Sequence, residues 1–122
     1  MSDHILLLQR ARKILINLLD IEIILEELDY HLSQLKIILK SGITIYIKYN
    51  EFEEYGYQIV FSPQKNDFSR FDNFDDRWNV STKPHHFHDK NKNRVIESPM
   101  IGEPEHDMPI LVNYIKNRNI FS

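Results

Sequence analysis

Apolar residues recur with helical spacing from Asp3 to about Leu19. Ile5, Leu8, Arg12, Leu15 and Leu19 mark one line, and Leu6, Leu7, Ile14 and Leu18 widen the apolar side, as in an amphipathic helix. Ser2 or Asp3 can cap its start, because either side-chain oxygen accepts from free amides of a first turn. The apolar arc spans more than one face. That predicts one side in the core and another open to an interface, a homodimer among the candidates. The period then changes. Ile21, Ile23 and Leu25 alternate with Glu22, Ile24 and Glu26, which favours a strand over a continued helix. Two further alternating runs, Leu35 to Lys40 and Ile43 to Tyr49, flank Ser41-Gly42. Glycine supplies the positive φ of a tight hairpin, so a two-residue turn is expected there. Ile37 and Leu39 should share one side of their strand. Ile43, Ile45, Ile47 and Tyr49 should share one face of theirs, and Thr44, Tyr46 and Lys48 the other.

Tyr55 to Ser62 reads as another strand, with Gly56 near its start and Pro63 ending it, and Asn66 to Phe71 as the next. From Arg70 to Arg94 the alternation breaks, and Val95-Ile96-Glu97 is a short edge strand. Pro99, Gly102, Pro104 and Pro109 mark a loop. Met108 to Asn117 is expected to be a short helix with Asp107 as N-cap, Pro109 near the first turn, and Ile110, Leu111, Tyr114 and Ile115 buried. The expected fold is one α+β domain over residues 1–122, an N-terminal helix packed on an antiparallel β-meander of four to five strands, with a short C-terminal helix.

Composition narrows the class. A chain of 122 residues with 42% hydrophobic and 27% charged residues suits a single globular core. With no cysteine it has no disulfide framework, thiolate metal site or thiol nucleophile. No apolar run reaches the roughly 18–20 residues of a membrane span: Gln9 and Arg10 interrupt the first and Asp20 ends the second. Met1-Ser2-Asp3 lacks the basic start of a secretory signal, so a cytoplasmic protein with no membrane partner is expected. Net charge is −3, yet Lys83, Lys90, Lys92 and Arg94 against Asp89 give +3 between residues 83 and 94 and leave −6 elsewhere. This excludes a global nucleic-acid coat. It leaves either a local phosphate patch or a solvated turn.

The candidate chemistry gathers at Pro84-His85-His86-Phe87-His88, where three of the six histidines fall within four residues. In extended chain His86 and His88 share a face and His85 takes the other. His86 and His88 can serve as general base and acid in RNA cleavage, with Arg77, Lys83 or Arg70 holding the phosphate and Trp78, Phe71 or Phe87 stacking a base. Against this, Trp78 and Phe71 are as a class more often core. His85 is expected to be structural and bonded to backbone, and His4 and His31, among apolar neighbours, to be structural too; His106 is undecided. A second reading is metal binding, with Asp72, Asp76 or His106 completing a set. Two strand histidines without cysteine make a poor closed zinc site, so neither metal nor other cofactor is expected. Asp72-Asn73 and Asp75-Asp76 read first as a capped turn and second as carboxylates orienting a histidine. A third reading makes the stretch a structural corner of a non-catalytic interaction module.

Arg70-Phe71-Asp72-Asn73 followed by Pro84-His85-His86-Phe87-His88 resembles the TumE family of small prokaryotic toxin-antitoxin proteins. The likeness covers most of the chain: a helix, a meander with a glycine-turn hairpin, then the two elements. Many members carry another Pro-His-His soon after Asp-Asn, and here that place holds Asp75-Asp76-Arg77. Chemistry or a metal site that needs the first pair would be altered or lost in this chain. The resemblance implies a toxin paired with a cognate, small DNA-binding antitoxin. RNA as a target rests on the residue argument.

Overall fold

The computed structural model describes residues 3–74, 77–89 and 95–121. Helix α1 (Asp3–Leu19) runs over the predicted span, and one turn of 3-10 helix (Asp20–Glu22) leads into β1 (Ile23–Asp29). Then follow β2 (Gln34–Leu39), β3 (Thr44–Tyr49), β4 (Tyr55–Val60), β5 (Phe68–Asp72), β6 (His86–His88), β7 (Val95–Glu97) and α2 (Pro104–Phe121). The strands form one antiparallel sheet in chain order, β1 to β7. The α+β meander is as expected, but it holds seven strands rather than four or five. The strand missed in the sequence is β6, whose three residues are too few to register as alternation.

Both helices cover one face of the sheet. Leu8, Ala11, Leu15 and Leu19 of α1 join Leu35, Ile37, Ile45, Ile47, Tyr57 and Ile59 of the sheet and Met108, Leu111, Val112 and Ile115 of α2 in one core. Ile37 and Leu39 share the buried side, and Ile45, Ile47 and Tyr49 are buried while Thr44, Tyr46 and Lys48 are not. The hairpin turn is one residue longer than predicted. Leu39 and Ile43 close it, with Leu39 N–H donating to Ile43 O at 2.9 Å and Gly42 N–H to Leu39 O at 2.9 Å. Lys40, Ser41 and Gly42 therefore form a three-residue loop, and Gly42 at φ +93° takes the left-handed position such loops require.

Helix α2 also starts earlier than expected. Pro104 occupies its first turn, and the Glu103 carbonyl accepts from Asp107 N–H at 2.8 Å. Asp107 is thus not the N-cap. Its fully buried carboxylate accepts from the backbone of Ile101 (3.0 Å) and Gly102 (2.7 Å), from the Tyr57 hydroxyl (2.7 Å), and meets His106 Nδ1 at 2.8 Å. Tyr49 then donates to Tyr57 at 3.0 Å, because the Tyr57 hydrogen is committed to Asp107. Burial pushes both phenols well above their usual range. Pro109 lies inside the helix, held there by buried Met108, Leu111 and Val112 around it. His31 is exposed in the turn after β1 rather than packed as expected, while His4 is partly buried.

Candidate functional site: a histidine–aspartate–arginine centre

Strands β5 and β6 set the site by register. Arg70 pairs with His88, Phe71 with Phe87, and Asp72 with His86. Alternation then puts Arg70, Asp72, His86 and His88 on the sheet face away from the helices. Phe71 and Phe87 point the other way. Their rings stack at 4.1 Å and each meets Tyr114 edge-on at 5.6 Å. At 7% exposure under α2, Phe87 cannot stack a base as expected, because it belongs to the core.

The connection between β5 and β6 folds back over this end of the open face. Phe74 lies on Gly56, where an added Cβ would meet Phe74 Cε2 at 3.2 Å, so a side chain there would crowd the Phe74 ring. The Trp78 ring stands 6.0 Å from His86 and 5.7 Å from His88, and the two imidazoles are 4.9 Å apart. Arg77 is exposed, with its guanidinium 4.5 Å from the Trp78 ring centre. Lys83 is exposed in the turn before Pro84.

Asp72 is the hub. It is fully buried. One oxygen, Oδ1, lies 2.6 Å from His86 Nε2 and accepts from Phe74 N–H at 3.2 Å. The other, Oδ2, lies 2.6 Å from Arg70 Nε and 3.7 Å from His88 Nε2. Both sequence readings of this aspartate therefore hold, since it caps a turn and orients a histidine. His86 Nδ1 meets the Pro84 carbonyl at 2.9 Å. Both ring nitrogens of His86 are thus taken up, one by a carbonyl and the other by a carboxylate. His86 is also 1% exposed, so it sits behind Asp72 and out of reach of solvent. His88 is the solvent-reaching member, with a quarter of its side chain exposed. Burial, and then the Arg70 charge, hold its pKa below the usual imidazole value against the opposing pull of Asp72. His88 is accordingly neutral near pH 7. Arg70 Nε, Asp72 Oδ2 and His88 Nε2 are buried together without an aligned hydrogen bond among the described residues.

Asp72, His86 and His88 also form a potential metal set, with donor atoms within 4.8 Å of one another. The fit is poor as the side chains stand. A 2.6 Å separation between Asp72 and His86 is a hydrogen-bonding distance, shorter than the roughly 3.3 Å between two ligands of a tetrahedral ion. The Arg70 cation competes for the same carboxylate.

His85 turns to the helix side. It is structural as expected, but its partner is a side chain and not backbone: Nδ1 meets the Tyr55 hydroxyl at 2.8 Å and the rings stack at 5.8 Å. Burial lowers its pKa. There it lines a cleft of about 720 Å³ with Arg10, Glu53, Asn73 and Glu103. Asp75, Asp76 and the basic turn at Lys90, Lys92 and Arg94 lie outside the described residues. Sequence reading missed the Asp72–His86 pairing, because their strands are separated by a long connection. It also missed Asp107, whose partners come from three separate segments.

No helix among the described residues is long and apolar enough to cross a membrane. Neither a curated protein nor a solved structure matches the chain. A family model described as Toxin TumE matches residues 12–119, a span that takes in every strand, the second half of α1 and most of α2. The chain therefore belongs to the TumE toxin family.

Proposed function

We propose that this toxin acts by cleaving RNA, with His88 as the group that accepts the proton. Membership of a toxin family implies a cognate antitoxin, which we take to be a small DNA-binding protein. The observation that carries the reading is the division of labour between the two histidines. His86 is spent on Asp72, whereas His88 is neutral, partly exposed and flanked by Arg70 and Trp78. Its Nε2 faces the Asp72 carboxylate, so Nδ1 is left to exchange a proton with substrate. In the proposed step His88 takes the proton of a ribose 2′-hydroxyl. The 2′-oxygen bonds to phosphorus as the bond to the 5′-oxygen breaks, that oxygen takes a proton from water, and the hydroxide left takes the proton back from His88. The products are a 2′,3′-cyclic phosphate and a 5′-hydroxyl. Arg70 and Arg77 hold the phosphate charge and Trp78 stacks a base. His86 is a positioning residue that acts through Asp72.

Induced expression tests the toxin and the residue together. Wild type should arrest growth, and His88→Ala should relieve the arrest at equal soluble protein level. Undiminished arrest in that variant would move the toxicity to binding and favour the interaction-module reading. The metal reading is favoured by the donor spacing alone. Close to one metal ion per chain in tag-free protein, lost in His86→Ala, would establish it instead.

A further inference from the structure

The open face of the sheet carries more than the histidine centre. Register aligns one residue per strand into a transverse row. Lys36 pairs with Tyr46, Tyr46 with Gln58, Gln58 with Arg70, and Arg70 with His88. All five are partly exposed. The Lys36 ammonium lies 6.0 Å from the Tyr46 ring centre. Lys48, exposed, stands two residues along from Tyr46 on the same face. On the other side of the row runs a largely apolar one, with Ile38 paired to Thr44, Thr44 to Val60, and Val60 to Phe68. The face is therefore basic and hydrogen-bonding along one line and apolar along the next.

We propose that this face is a binding track for single-stranded RNA, running from His88 across β5, β4 and β3 to Lys36; it rests on the RNA-cleavage reading for its choice of nucleic acid. Charge complementarity favours a polyanion over β2 to β5, where this face carries Lys36, Lys48 and Arg70 against Asp72, while Glu27, Asp29 and Glu97 lie on the flanking strands β1 and β7. An extended single strand fits better than a duplex, because a flat, ladder-like surface can contact bases and backbone side by side. Tyr46 and the apolar row take base faces, and the lysines and arginine take phosphates. Five strands at the usual spacing span about 19 Å from end to end, comparable to a sheet that stacks two or three bases. The track stops at β2. Beyond Lys36 the next residue in register is Glu27, exposed and repulsive to phosphate.

The test separates binding from cleavage by using a 12-nucleotide oligouridine with 2′-O-methyl groups, which lacks the attacking hydroxyl. Fluorescence anisotropy should show the wild type binding it with a steep salt dependence. A Lys36→Ala, Lys48→Ala double variant should bind at least tenfold more weakly and lose roughly 1.4 from the slope of log K against log salt, at about 0.7 per phosphate contact. Tyr46→Ala should weaken binding with the slope unchanged. Thermal melts of each variant check folding. Unchanged affinity and slope in the folded double variant would overturn the track, as would absent binding by wild type or equal binding of duplex RNA. Loss of antitoxin binding with RNA binding intact would overturn it in favour of a protein-docking face. Binding as described, without cleavage of unmodified oligouridine, would leave the track standing and remove the cleavage reading alone.

Discussion

Asp72 and the two histidines across from it divide one problem between them. A buried carboxylate needs partners, and His86 and Arg70 supply them at 2.6 Å each. Removing His86 strands the Asp72 Oδ1 side of the buried carboxylate and leaves Arg70 as its one close side-chain partner among the described residues. We expect His86→Ala to cost roughly 3–5 kcal/mol of stability, read by denaturant unfolding, and to lower cleavage through the lost orientation of Asp72. His88 should report its surroundings by titration. Its pKa is lowered by burial first and by Arg70 second, so the acid limb of the cleavage rate should fall below pH 6.5. Arg70→Gln should move the imidazole titration, followed by NMR, upward. The same shift links to stability. His88 and His85 both take up protons less readily folded than unfolded. Their contribution is therefore full above the unfolded value near 6.5 and is lost as pH falls from there toward the lower folded values. Much of this residue chemistry was legible in the sequence. Alternation alone put His86 and His88 on one face and His85 on the other. What was not legible was which of the pair meets solvent, because that depends on Trp78 and Phe74 folding back over the sheet.

Elements with strong local signals were readable, and those held by distant partners were not. The period of α1 and the glycine turn at Gly42 are written in consecutive residues, and both appear, the turn one residue longer than expected. Strand β6 has three residues and owes its existence to pairing with β5 and β7. Helix α2 begins at Pro104 because Asp107 faces inward to Tyr57, Ile101 and Gly102, so the residue that resembled an N-cap is instead an anchor. Asp107→Ala should therefore lower stability by about 3 kcal/mol or more, since it strands several buried donors at once. It should do so without altering the pH profile of cleavage. A loss below about 1 kcal/mol in urea unfolding, the scale of one ordinary hydrogen bond, would contradict the anchoring role.

At the scale of the whole molecule, placing both helices on one face leaves the other face of a seven-stranded sheet open. The meander order brings β5 and β6 together near one edge, with β7 beyond them, so the polar centre has solvent beside it and a long run of strands leading away. The stack of Phe71 on Phe87 beneath it ties the site to the core, which is why the histidine stretch reads in sequence as both chemical and hydrophobic. The central claim is that His88 moves the proton while His86 only positions. The most direct measurement is cleavage of a labelled single-stranded RNA by purified protein, with the new 3′ ends analysed chemically. The account predicts 2′,3′-cyclic phosphate ends from wild type, and a His88→Ala rate lower by roughly 10²–10⁴-fold in a protein that still melts cooperatively. Cleavage at the wild-type rate by folded His88→Ala, or no cleavage of any single-stranded RNA by wild type, would contradict it.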